Sequence, residues 1–167
     1  MGTPANILIP YQEYTPEKFL FNVIVSAYFA NLQVRVGNVE YFNDGHFKYM
    51  QTNICEKLDG KQFCPKQFLL YVSRKDKYPG ESFYYYEDVG LDPSLELCRV
   101  GYIEDIKDVK DIVFRFSYEY LKRNPKHYFW VPDFDWVYTW EDMQKLKNSY
   151  DPYWCYKDPK TGKFEED

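Results

Sequence analysis

The apolar positions of this chain change period twice. From Thr15 onward Phe19, Leu20, Val23, Ile24, Ala27 and Tyr28 recur at three- and four-residue spacing, the repeat of a helix, and Phe21 and Phe29 widen the apolar face. Thr15-Pro16-Glu17 is a helix start. It offers a side-chain oxygen to cap free N–H groups, a proline where no donor is needed, and a carboxylate at the positive end. The spacing predicts a mostly buried helix over about 16–31.

Alternation then takes over. Val34, Val36 and the run from Val39 to Phe42 lead to Asp44-Gly45, and Phe47, Tyr49 and Met50 follow. Asp-Gly between aromatic-rich runs favours a two-residue hairpin turn, because both central residues need positive φ. A second Asp59-Gly60 divides 52–58 from 61–72, where Phe68-Leu69-Leu70-Tyr71-Val72 reads as a central strand. Segments 82–87 and 95–102 read as further strands. Helical spacing returns with Ile106, Val109, Ile112, Val113, Phe116, Tyr120 and Leu121, so a second helix is expected over 105–123. Its early Asp residues and late Lys122 and Arg123 match the helix dipole, and Asn124-Pro125 ends it. Tyr128-Phe129-Trp130-Val131 reads as a strand, Thr139 to Asp142 as the capped start of a short helix, and 158–162 as a turn in a terminal hairpin. No repeat or linker divides the chain. The expectation is one α+β domain over 1–167: an antiparallel sheet of about five to seven hairpin-connected strands with two long helices and one short one.

Composition narrows the function classes. Eighteen Tyr, 13 Phe and 4 Trp share the chain with 26 acidic and 21 basic residues, for a net charge of −5. Affinity for a phosphate backbone comes largely from Lys and Arg, so direct nucleic-acid binding is disfavoured. The first ten residues lack the basic region of a secretory signal, and the longest apolar run, 23–30, is too short to span a bilayer. A cytoplasmic protein with no membrane partner is expected.

Candidate chemistry is sparse. The four cysteines, Cys55, Cys64, Cys98 and Cys155, lack CxxC spacing, and His46 and His127 stand alone, so no metal site is expected. Nothing around Cys64, Cys98 and His127 supplies the setting of a nucleophile and its base. Glu104, Asp105, Asp108 and Asp111 read as a solvated face at a helix start rather than a cation site. The glycines are scattered singly, which leaves no phosphate-cradling loop and no cofactor. Counting back from a two-residue Asp59-Gly60 turn places Cys55 opposite Cys64 as reduced cross-strand neighbours.

Two segments combine rings with carboxylates: Tyr84, Tyr86, Glu87 and Asp88, and Asp133, Asp135, Trp136, Tyr138 and Trp140. Tyr and Trp carry an apolar body with a polar tip, and acids beside them steer a basic partner. These residues are the expected partner-binding surface of a non-catalytic protein, itself a monomer or weak homodimer. No motif belongs to a nameable family. In character the chain is similar to bacterial immunity and inhibitor proteins, which implies a basic toxin domain, such as a nuclease, as partner. A small cytoplasmic hydrolase and a phage-encoded nucleic-acid mimic are the alternatives.

Overall fold

The computed structural model describes residues 2–57, 66–75 and 82–164. Among them, seven strands form one antiparallel sheet: β1 (Ala5–Pro10), β2 (Leu32–Tyr41), β3 (Phe47–Glu56), β4 (Gln67–Ser73), β5 (Leu97–Ile103), β6 (Tyr128–Val131) and β7 (Trp136–Tyr138). Their order is β2-β3-β4-β5-β1-β6-β7. Helices α1 (Pro16–Phe29), α3 (Lys110–Arg123) and α4 (Trp140–Asn148) cover one face, and the one-turn α2 (Tyr86–Val89) lies on the other. The chain is α+β, as its two periodicities predict.

The capped elements form where the sequence places them. Thr15 Oγ1 accepts from Lys18 N at the start of α1, and Thr139 and Asp142 cap α4 reciprocally, each side chain bonding the other's backbone N–H. Strand β6 has the expected limits. Near the C-terminus Lys157 bridges Phe164 across a turn with Gly162 at φ +69°.

Four expectations are corrected. The loop between β2 and β3 is longer than two residues: Gly45 N donates to Phe42 O and Gly45 alone takes positive φ, while the Asp44 carboxylate accepts from His46 N. Across β3 and β4, Cys55 faces Gln67, three residues beyond the expected partner. Cys64 and the Asp59-Gly60 turn lie outside the described residues. The second long helix starts at Lys110 rather than 105, because the Asp105 carboxylate accepts from Thr3 N and Lys107 N, both at 2.9 Å, and ties the preceding residues into a turn. Segment 82–87 is not a strand: Ser82 makes one bridge to Cys98, and the chain then turns into α2.

The central strand β1 has no counterpart in the sequence reading. Ala5, Ile7 and Ile9 face the helices while Asn6 and Leu8 face the opposite side, and all five are buried. With both faces covered, the strand shows no polar alternation to detect. Its pairing with β5 contains a bulge, since Ile7 pairs with Val100 but Ala5 with Ile103. Gly101 sits there at φ +61°, and a Cβ would lie 2.6 Å from Phe19 Cζ, so only glycine fits. The extra residue keeps Val100 and Ile103 on the helix side and leaves Tyr102 on the open face.

Candidate functional site

The two acidic-aromatic segments meet on the open face. Strand β6 reverses into β7 through a 3-10 turn at Pro132–Phe134, closed by Asp135 in the left-handed region at φ +53°, which aspartate tolerates better than most residues. On the other segment, α2 packs beside β7, burying Val89 with Val137, Leu8, Leu97 and Trp130. The Tyr85 ring stacks against Trp130 at 5.7 Å and 30°, and the Phe83 ring meets Trp130 edge-on at 5.0 Å.

Between these segments lies a hollow of about 600 Å³. Tyr85, Tyr102 and Trp130 supply rings, Asp135 a carboxylate, and Asn6, Ser73 and Arg99 polar groups. The volume is within the usual range for a ligand or anchor pocket. The hollow takes residues from both β4 and β5, which pair only through Leu70 and Ile103 among the described residues. An aromatic row extends from it across three strands, with Tyr102 to Tyr71 at 5.9 Å and Tyr71 to Tyr49 at 5.8 Å. Gln51 Nε2 donates to the Tyr71 hydroxyl.

One buried polar group in the lining of the hollow lacks a partner among the described residues. Trp130 is 3% exposed, and its Nε1–H is buried without an acceptor. Asn6, which lines the hollow from β1, is 6% exposed. Leaving a buried donor unmade costs about 1–3 kcal/mol, so the Trp130 indole is held in this wall at a cost to stability.

The expected site residues divide between the faces. Tyr84, Glu87, Asp88, Asp133 and Asp135 are exposed on the α2 and turn segments that frame the hollow. Tyr86 is half-buried, and its hydroxyl accepts from Leu97 N at 2.6 Å, a structural role. Tyr138 is a correction. It is buried, its hydroxyl proton shared between Trp154 O and Lys157 O, and it offers no surface. Trp136 and Trp140 are half-buried against the helix-side core: Trp136 Nε1 donates to Cys155 O, and Trp140 packs on Tyr118 at 5.0 Å. The reason is strand geometry. Positions 136 and 138 share the face that Phe129 and Val131 present to the helices, whereas Asp135 precedes the strand and lines the hollow. Sequence reasoning missed Asn6, Tyr85 as a wall, Arg99 and Tyr102. Only the bulge at Gly101 and the pairing of β1 bring them together.

The strongly perturbed groups lie elsewhere. Burial pushes the Cys155 thiol up to about 12 and raises the Tyr120 and Tyr138 hydroxyls. Burial also lowers His127 against the opposing pull of Glu13. The Tyr120 hydroxyl lies 2.9 Å from His127 Nδ1 and Glu13 Oε2 3.3 Å from Nε2, which suits a neutral ring with its proton on Nε2. Each shift follows from packing in the helix-side core rather than from a reactive cleft. Cys98 is buried and donates to Ile9 O. Asp111, in the first turn of α3, pairs with Lys66 at 3.1 Å, and Asp105 closes the turn that precedes the helix. Among the described residues, no group of three or more His, Cys, Asp or Glu is arranged to hold a metal ion, and no helix is long and apolar enough to cross a membrane. The chain matches no family model, no curated protein and no solved structure.

Proposed function

We propose that this protein is a non-catalytic binding protein that neutralises a basic partner, such as a nuclease toxin, by covering the partner's cationic active-site cleft. The observation that carries the reading is the convergence of two segments far apart in sequence around one hollow. Glu87, Asp88, Asp133 and Asp135 lie on the segments that frame it, and Tyr85, Tyr102 and Trp130 form its walls. The carboxylates stand in for substrate phosphates and speed encounter with a positive cleft. The hollow receives one anchoring group of the partner. Trp130 keeps a buried Nε1–H without an acceptor among the described residues, and an anchor that carries one, such as a backbone carbonyl or a side-chain amide, suits that wall. Arg99, already engaged in the protein, adds a polar group to the wall.

The test is purification of the chain from its native host, followed by binding kinetics with the protein recovered. A one-to-one complex with a basic protein is expected, with an on-rate that falls as salt screens charges over about 10 Å at 0.1 M. Asp88→Asn with Asp135→Asn should lower the on-rate, and Tyr85→Ala should raise the off-rate, whereas Trp136→Ala should leave both nearly unchanged. Turnover of a substrate, or binding indifferent to salt and to both hollow variants, would overturn the proposal.

A further inference from the structure

Helix α1 is apolar on both sides. Phe19, Val23, Ser26 and Ala27 are buried beneath it. At 100° per residue, Phe21, Ile24 and Tyr28 fall on the opposite side, with Val25 and Phe29 beside them. That side faces outward: Phe21 is 65% exposed, Ile24 43%, Tyr28 70% and Phe29 56%. A surface helix ordinarily carries charge there, and one that is hydrophobic all round is normally covered. Between Lys18 and Arg35 the sequence has no charged residue at all. The Phe29 ring is partly shielded by Arg123, 4.0 Å from its centre, and meets Tyr28 edge-on at 5.2 Å. The rest of the outer stripe meets nothing comparable among the described residues.

We infer that this face is a homodimer interface, in which α1 of one copy packs antiparallel against α1 of a second copy about a two-fold axis. Two arguments select a second copy as the occupant. The first is charge. Each copy carries a net −5, so most of its surface repels its twin, and an uncharged stripe is where two copies approach without that cost. A basic partner gains nothing from it, because the stripe holds no carboxylate to pair. Antiparallel packing sets Glu17 and Lys18 of each helix beyond the uncharged end of the other.

The second argument is area. With aromatic side chains burying about 150–250 Å² each, the exposed parts of these side chains offer roughly 400–500 Å² per copy. Two copies thus cover about 900 Å² before half-buried Leu20 and Val25 contribute, close to the low end of specific interfaces at about 1,200 Å². The dimer is therefore reversible, not permanent. Because α1 lies on the helix-covered face and the hollow on the other, dimerisation leaves both hollows open.

Sedimentation of the full chain over a concentration series tests this directly. The wild type should shift from monomer to dimer in the micromolar range, with a dissociation constant of order 10 µM. Phe21→Glu and Tyr28→Glu should each weaken association by about 100-fold or more, with unchanged circular dichroism. Ile24→Lys and Ile24→Glu, each monomeric alone, should associate when mixed. Tyr84→Ala, on the open face, should leave the dimer intact. Salt separates this surface from the acidic one: it should leave the dimer unweakened while it slows binding of a basic protein. A wild type that stays monomeric up to about 1 mM would overturn the inference. So would a dimer that survives both glutamate variants, or a monomer that instead binds neutral phosphatidylcholine vesicles through Phe21 and Tyr28.

Discussion

Two buried tryptophans, one on each face of the sheet, show how differently the faces are built. Trp154 lies among the helices, with Phe114, Phe129 and Tyr138 around its ring at 5.5, 5.8 and 5.1 Å, and its Nε1–H donates to Lys110 O at 3.0 Å. Trp130, on the open face, is almost as deeply buried, yet its Nε1–H has no acceptor among the described residues. Beneath the helices, large rings are packed and their polar tips satisfied, so that interior serves stability. The open face keeps a hollow, an orphan donor and a fringe of acids, features that cost stability and suit recognition.

Emptying the Trp154 site should have the largest effect. Trp154→Ala removes the ring and the donor to Lys110 O, and chemical denaturation should show a loss of about 3–5 kcal/mol. A loss below 1 kcal/mol would mean the helix face is not the stabilising one. Tyr138→Phe keeps the ring but strips the donor from the carbonyls of Trp154 and Lys157, and a cost of about 1–2 kcal/mol is expected from the same titration.

Acid should also act through the helix face. His127 titrates below its ordinary value in the folded chain because it is buried. As pH falls below about 6.5 the unfolded chain takes up a proton that the folded chain refuses, so stability declines until the lowered folded value is reached. Above that window the group is neutral in both states and has no effect. Denaturation at a series of pH values should show this slope, no steeper than about 1.4 kcal/mol per pH unit, and His127→Gln should remove it.

The smallest expected effect is the most discriminating. Trp130→Phe discards a donor that has no acceptor among the described residues, which offsets the lost ring volume, and should cost under about 1 kcal/mol. Trp154→Phe, the same change across the sheet, should cost at least about 1 kcal/mol more, because Lys110 O is left without its donor. Equal costs at the two positions would erase the distinction between the faces.

Much of the architecture is legible without coordinates, and the reason is local. Thr15-Pro16-Glu17 and Thr139 with Asp142 satisfy backbone groups within four residues, so the starts of α1 and α4 follow from neighbours in sequence. The four residues of β6 are apolar and β-prone and lie between turns. The run before α3 shows where such reasoning fails. Its periodicity continues through Ile106 and Val109, but Asp105 is captured by Thr3, a residue distant in sequence, and the helix waits until Lys110.

The sequence by itself determined the fold class, the caps, the acidic balance and the two segments rich in rings and carboxylates, because each rests on composition or on contacts within a turn or two of the chain. Only the tertiary structure decided which rings are exposed. Tyr138 and Asp135 are three residues apart, but one is buried beneath the helices and the other lines the hollow. That division depends on which face of β6 the helices cover, and a strand's own sequence does not encode what packs above it. The same holds for α1. Its apolar residues surround the whole helix, and the pattern alone could not say that Phe21, Ile24 and Tyr28 would face outward.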